Sequence, residues 1–152
     1  GILGRIREIS LFLNPLPSSY QRLGCWEAPK RINWSFGNRS QLVRIPAAHP
    51  GAGRMELRSP DPACNPYLAF ALVLAAAMEG ITEVTPLQAP LDDSGSLPES
   101  LEEAISLAEK SAFIREVLPE NVIEAYLAEK KKTAARFEAD ANAVFQQHLR
   151  TI

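Results

Sequence analysis

The chain is predicted to be an α+β protein, with short, mainly antiparallel strands followed by C-terminal helices. Three observations point there. The run Gly53-Arg-Met-Glu-Leu-Arg-Ser59 alternates polar and apolar residues, the period of a strand with one face on a core. Between 14 and 60 the apolar runs are short and broken by proline and glycine, which leaves room for strands but not for a long helix. After residue 60, helix start signals recur at Asn65-Pro66, at Ser100 with Glu103, and at Pro119.

Residues 1–13 predict a first helix, with Ile2, Leu3, Ile6 and Ile9 on one stripe. No capping residue precedes it, so the chain is expected to begin inside an element. Asn14-Pro-Leu-Pro-Ser-Ser19 breaks that helix and opens a loop to about Pro29. Strands are expected at 32–36, 42–45 and 54–59, with Pro46, Pro50, Gly51 and Gly53 in the link between the last two. A helix over 66–79 has Asn65 as its cap, Pro66 at its first position and Gly80 as its stop. From Tyr67 to Leu74 it is apolar all round, so burial on most sides is expected, with packing on the Met55/Leu57 face of the sheet.

Pro86–Leu97 reads as a polar loop. Ser100 and Glu103 form a capping-box pattern for a helix to about Lys110, and Ala112–Leu118 a further short helix. Pro119 then starts a long helix to about Leu149. Its stripe is Ile123, Tyr126, Leu127, Ala134, Phe137, Ala141 and Val144, and Glu124, Lys131, Lys132 and Glu138 form the solvated face.

With 152 residues, 46% apolar and 22% charged, the chain has the composition of one soluble globular domain. Its first residues are too charged for a signal peptide, and the apolar stretch from Pro66 to Met78 is too short to span a bilayer. No membrane association is expected, and the default setting is cytoplasmic. Cys25 and Cys64, without metal-like spacing, then read as free thiols.

The net charge of −2 hides a division. Residues 1–60 carry nine basic and three acidic residues, or +6; residues 61–152 carry seven and fifteen, or −8. From Arg22 to Arg58 there are seven basic residues against Glu27 and Glu56 alone, interleaved with Trp26, Trp34 and Phe36. Such arginines grip anions through paired guanidinium hydrogen bonds. Strand spacing puts Arg54, Glu56 and Arg58 on one face, although an ordinary solvated strand can show the same pattern. If the strands form, Arg39, Arg44, Arg54 and Arg58 should converge on one concave face, with no buried acid but Glu56 to neutralise them. Nucleic acid is not expected as a partner, because the arginines come singly at strand spacing and do not line one helix. The chain has no internal repeat, no glycine-rich phosphate loop and no HExxH pattern.

Seven segments follow in order: Asn14-Pro15, Ser19-Tyr-Gln-Arg-Leu23, Glu27-Ala-Pro29, Asn38-Arg-Ser40, Arg44-Ile-Pro46, Arg54-Met-Glu-Leu-Arg58 and Asp61-Pro-Ala-Cys-Asn-Pro-Tyr-Leu-Ala69. Together they resemble the C-terminal part of the catalytic domain of bacterial type I glutamine synthetase. The agreement is dense from 14 to about 81 and looser, in register, from 97 to about 140. The resemblance implies a portion of that domain: a helix over 1–13, a loop and strands with site residues over 14–60, and a helical remainder over 61–152.

It also implies an enzyme that forms γ-glutamyl phosphate from ATP and glutamate, then lets ammonia displace the phosphate. By the resemblance, Glu56 is a carboxylate ligand of Mg²⁺ or Mn²⁺ near the nucleotide phosphates. Arg58 contacts substrate and phosphate groups. Arg39, Arg44 and Arg54 surround the ATP phosphates and the transferred phosphoryl, and Arg22 lies near the glutamate carboxylate. Glu27 sits on a mobile flap that shields the intermediate and helps draw a proton from ammonium. Taken without its flanking matches, Glu27 also reads as a surface acid paired with Lys30. The chemistry suits the residues, since phosphoryl transfer is mainly positioning and charge stabilisation.

The departures bear on the acceptor. Arg22-Leu-Gly-Cys-Trp-Glu27 is one residue shorter than the usual flap, Trp26 stands where tyrosine is common, and Gly37 replaces another side chain before Asn-Arg-Ser. Lys132-Thr-Ala-Ala replaces an acidic-Trp pair, and no Trp-Glu occurs near the C-terminus. A paralogue ligating glutamate to a larger amine is the alternative, as is a non-catalytic oligomerisation or binding module of the same fold. The linker Pro86–Glu99 has no tyrosine for adenylylation. The family's other metal ligands, two histidines and N-terminal domain lie upstream of the matched region, and its sites borrow residues from a neighbouring subunit. A homo-oligomer is therefore expected, with this chain inactive by itself.

Overall fold

A computed structural model describes residues 1–47, 53–92 and 94–139. Six helices and three short strands occur among them: α1 (Ile2–Leu13), α2 (Pro17–Arg22), β1 (Trp34–Phe36), β2 (Val43–Ile45), β3 (Glu56–Leu57), α3 (Pro66–Thr82), α4 (Leu101–Glu109), α5 (Ala112–Val117) and α6 (Glu120–Ala139). The α+β class stands. Pro50 and Gly51, and the expected continuation of the last helix through Ala141 and Val144 to Leu149, lie outside the described residues.

α1 is the centre of the helical layer and packs against both α3 and α4. Ile6, Ile9, Leu11, Phe12 and Leu13 are completely buried. The Tyr126 ring of α6 stacks on Phe12 with centroids 4.6 Å apart, and its hydroxyl donates to the Leu11 carbonyl at 3.4 Å. Arg5 of α1 pairs with Glu79 of α3, and Arg7 with Glu103 of α4 at 2.8 Å. The side of α1 away from the core is thus tied by charge to the same two helices.

The start signals of the later helices act as expected. Asn65 Oδ1 accepts from the Tyr67 and Leu68 amides at 3.0 and 3.4 Å. Ser100 Oγ accepts from the Glu103 amide at 3.2 Å, while Glu103 reaches back to the Glu99 amide at 2.8 Å. Ser111 caps α5 in the same way, through the Ile114 amide at 3.0 Å.

Three expectations are corrected. The 14–29 loop contains α2, started by Pro17 and by Ser19 Oγ, which accepts from the Leu16 amide at 3.2 Å. α3 does not stop at Gly80. A Cβ there would lie 2.3 Å from the Gly1 nitrogen, so this glycine lets two backbones approach and is not a terminator. Finally, α3 is not buried on most sides, nor is the sheet its main support. Its principal partners are α1 and α5; only Ala69, Leu72 and Ala76 are buried, while Tyr67, Phe70, Leu74, Met78 and Ile81 are exposed.

The sheet has the order β1-β2-β3. β2 and β3 are antiparallel, with Val43 opposite Leu57 and Arg44 opposite Glu56. β1 and β2 are parallel, with Trp34 opposite Val43 and Ser35 opposite Arg44. A parallel crossover normally takes a dozen or more residues. Here the strands are three residues long, so the return path is short and residues 37–42 suffice. Beyond β1, residues 94–97 run back along 30–32: Ile32 donates to Gly95 at 2.8 Å and Leu97 to Lys30 at 2.9 Å. The Pro86–Leu97 loop therefore also shields a sheet edge.

Period-two alternation divides the sheet chemically. Trp34, Val43 and Leu57 share one face, with Trp34 and Phe36 in edge contact at 5.4 Å. Ser35, Arg44 and Glu56 share the other. The apolar face looks into a hollow of about 680 Å³ closed by the start of α1, the end of α3 and residues 85–88. Among the described residues, no helix is long and apolar enough to cross a membrane. Both cysteines are free thiols, with Cys25 exposed.

Candidate functional site

The polar face of the sheet carries the predicted cluster. Glu56 lies on β3 directly opposite Arg44 of β2, so the pair is set by strand register. Arg44 Nη1 donates to Glu56 Oε2 at 2.9 Å, and its Nε donates to the Gly37 carbonyl at 2.8 Å. Gly37 has φ 72°, a left-handed value that suits glycine, and this turn aims its carbonyl at the guanidinium. Arg54 and Arg58 flank Glu56 on the same face: Arg54 Nη2 is 3.5 Å from Oε1 and Arg58 Nη1 is 3.4 Å from Oε2. The alternation 54-56-58 thus produces the convergence it predicts.

The two flanking arginines differ in kind. Arg54 has a side chain 61% exposed and meets Glu56, whereas the Arg58 side chain is 17% exposed. Arg58 Nε donates to the Arg39 carbonyl at 2.9 Å, and Nη2 donates to the Glu27 carbonyl at 3.3 Å and to Glu27 Oε2 at 3.1 Å. One guanidinium therefore ties β3, the 37–42 connection and the 23–28 turn together. Arg39 completes the group, with Nη1 3.6 Å from Glu27 Oε1.

Glu27 is thus brought to the arginines, not to Lys30, which pairs with Glu99 at 2.8 Å. The Glu27 side chain is 62% exposed, so it adds a surface acid to the group and not a buried one. Hydrogen bonding to Arg44, helped by the charges of Arg44, Arg54 and Arg58, holds the Glu56 carboxyl below the usual glutamate range against a smaller opposing effect of burial. It is a carboxylate at neutral pH.

Arg22 stands apart, at the end of α2. Its Nη2 donates to Asn14 Oδ1 at 3.2 Å and to the Ser59 carbonyl, and its Nε lies 3.6 Å from Asp61 Oδ2. Asn14 and Ser59 are completely buried. Asn14 Nδ2, Arg22 Nε and Ser59 Oγ, all buried, lack a hydrogen-bond partner within the chain. This cradle was not foreseen as one. Its members are 8, 37 and 39 positions from Arg22, and no local spacing pattern marks such a grouping.

Chemically, four arginines against two glutamates leave a net +2 on one surface. That surface suits a polyanion. Among the described residues no group of three or more His, Cys, Asp and Glu side chains could hold a metal ion. Glu56 offers one carboxylate, and both its oxygens already accept from arginines.

Residues 1–147 match the family model described as glutamine synthetase, catalytic domain. The chain is 43% identical over 154 aligned positions to a glutamine synthetase of Methanosarcina mazei, covering 91% of this chain and 34% of that protein. It is 40% identical to the glutamine synthetase of Thermotoga maritima (90% and 35%) and 36% identical to that of Mycobacterium tuberculosis (91% and 35%). The chain spans about one third of the length of these relatives. It belongs to the glutamine synthetase catalytic-domain family.

Proposed function

We propose that this chain is the C-terminal portion of the catalytic domain of a bacterial type I glutamine synthetase, acting in the cytoplasm as part of a homo-oligomer. The reaction is ATP-dependent ligation of glutamate with ammonia through γ-glutamyl phosphate. The observation that carries the proposal is the Glu56 carboxylate held by Arg44, Arg54 and Arg58, with Arg39 joined through Glu27. Arg39, Arg44 and Arg54 hold nucleotide phosphates and the transferring phosphoryl, and Arg58 binds the substrate end of that group. Arg22 takes the glutamate carboxylate. Glu27 covers the intermediate and receives a proton from the incoming amine. Fixed guanidiniums in these positions stabilise charge that develops on phosphoryl oxygens without reorganising at the moment of transfer.

For Mg²⁺ or Mn²⁺ the described residues do not form a complete site. Glu56 supplies one hard oxygen donor, and the remaining ligands belong to other parts of the enzyme. The chain alone is accordingly inactive. A second reading, ligation to a larger amine, is favoured by Trp26: this fully exposed indole adjoins Glu27 on the turn that would meet the acceptor.

A chimera in which this chain replaces the aligned third of the Methanosarcina mazei enzyme tests the proposal. It should release phosphate from ATP and form glutamine, and Glu56→Ala should lower kcat by about 100-fold or more. A folded chimera that is inactive, or one indifferent to Glu56→Ala, would reject the assignment. Preference for alkylamines over ammonia would select the second reading.

A further inference from the structure

Asp61 lies between β3 and α3, against the end of α1, and each of its polar groups has a separate task. Its amide donates to the Leu13 carbonyl at 2.8 Å, its carbonyl accepts from the Cys64 amide at 2.9 Å, and Oδ1 accepts from the Ala63 amide at 2.8 Å. Those three bonds fix the carboxylate, whose remaining oxygen, Oδ2, faces Arg22 Nε at 3.6 Å. The Asp61 side chain is only 15% exposed, so this charge contact is screened less than a surface pair. Asn14 Oδ1 and the Ser59 carbonyl both accept from Nη2 of the same guanidinium. Nη1 has no partner among the described residues.

Nε and Nη2 make up one edge of a planar fork, and ties along that edge leave Nη1 to point away from it. Nothing in α2 sets this direction, because Arg22 is the last residue of a six-residue helix. A long, rotamer-rich side chain there takes its orientation from the partners it meets. We propose that Asp61 is a positioning residue: it acts through Arg22 and aims the free Nη1 at the carboxylate of the amino-acid substrate. The inference rests on the reading of Arg22 as the arginine that takes the glutamate carboxylate, and it adds the residue that orients it. A turn-forming role alone is the competing account, since Oδ1 closes a turn over Ala63. That account leaves Oδ2 without a task, whereas an anion beside Nε holds the guanidinium and leaves Nη1 uncovered.

The chimera with the Methanosarcina mazei enzyme tests this as the parent, Asp61→Asn, Arg22→Ala and the double variant. Asp61→Asn keeps an oxygen to accept from Ala63 and sets an NH₂ group against the guanidinium, so the turn survives and the tie does not. The glutamate KM should rise about tenfold in Asp61→Asn, the scale on which an orienting partner acts, and about 100-fold in Arg22→Ala. The ATP KM should stay unchanged in both. The double variant should match Arg22→Ala to within about twofold, because a residue that works through Arg22 has nothing to orient once Arg22 is gone. Additive effects, an unchanged glutamate KM in Asp61→Asn, or equal rises in both KM values would overturn the positioning role and spare Arg22. An unchanged glutamate KM in Arg22→Ala would remove the reading of Arg22 and the proposal with it. A readout free of turnover is the Nε–H NMR signal of Arg22 in the arginine-labelled chain, assigned by its loss in Arg22→Ala. Asp61→Asn should speed its exchange with solvent by about tenfold; an unchanged rate would overturn the proposal whatever the chimera does.

Discussion

Arg58 and Arg54 lie two residues apart on one face, yet their removal should have very different consequences. Arg58→Ala deletes a bond to the Arg39 carbonyl at 2.9 Å, one to the Glu27 carbonyl at 3.3 Å, and charge contacts with Glu27 and Glu56 at 3.1 and 3.4 Å. The Glu27 contact is largely exposed and is worth little, whereas the two carbonyl bonds come from a charged donor that is mostly covered. Together they amount to about 2 kcal/mol, after discounting the ion pairs for solvent screening. For a chain of this size that is a fall in Tm of roughly 4–8 °C. Arg54→Ala loses one exposed contact at 3.5 Å and should change stability by less than about 0.5 kcal/mol. Urea unfolding followed by circular dichroism measures both, and Arg58→Lys adds a check, since an ammonium cannot serve three directions with a planar fork. Equal effects of Arg58→Ala and Arg54→Ala would refute the view that Arg58 ties the site's loops together.

Glu56 makes stability pH-dependent in a defined direction. Its folded pKa is depressed, so its contribution is complete above the unfolded glutamate value and is lost as pH falls through the lower folded value. The stability difference between wild type and Glu56→Gln should therefore shrink as the pH falls through and below the usual glutamate range; a difference that stays constant on that descent would contradict the pairing. On α3, Leu72→Ala should cost about 2–5 kcal/mol because Leu72 is wholly buried against the α1 layer. Leu74→Ala, on the exposed side, should cost less than about 0.5 kcal/mol. A reversed order in thermal melts would mean that the helix presents its other face to the core.

What the sequence discloses here is what local physics controls. Asn65, Ser100 with Glu103, and Pro119 act within a turn of where they stand, and each helix starts at its signal. The alternation at 54–58 brings three side chains to one face, although the strand expected over 54–59 pairs only at Glu56 and Leu57. The misses involve partners far along the chain. Gly80 looks like a stop until Gly1 lies against it, and the apolar helix after Pro66 looks buried until α1 and α5 cover only one side. Glu27 has a lysine three residues away and an arginine 31 residues away, and it takes the arginine because Lys30 points to Glu99. The parallel pairing of β1 with β2 carries no sequence mark either, because three-residue strands are too short to show a preference.

The distances along the chain that these contacts bridge separate the molecule into two regimes of assembly. Every tie in the arginine cluster closes within the segment from Glu27 to Arg58, with separations of 2 to 31 residues. The helical layer is closed by contacts 74, 96 and 115 residues apart, through Arg5–Glu79, Arg7–Glu103 and Tyr126–Leu11. Loop-closure entropy rises with separation, so the cluster belongs to the low-contact-order part of the chain and the helical layer to the high. Such a division lets the cluster open and reclose as a local unit while the helices stay docked. Amide exchange in the 24–28 turn and the 37–40 connection would then proceed through small openings and in α1 through global unfolding, giving the loops of the anion-binding surface a dynamic independence from the scaffold that carries them.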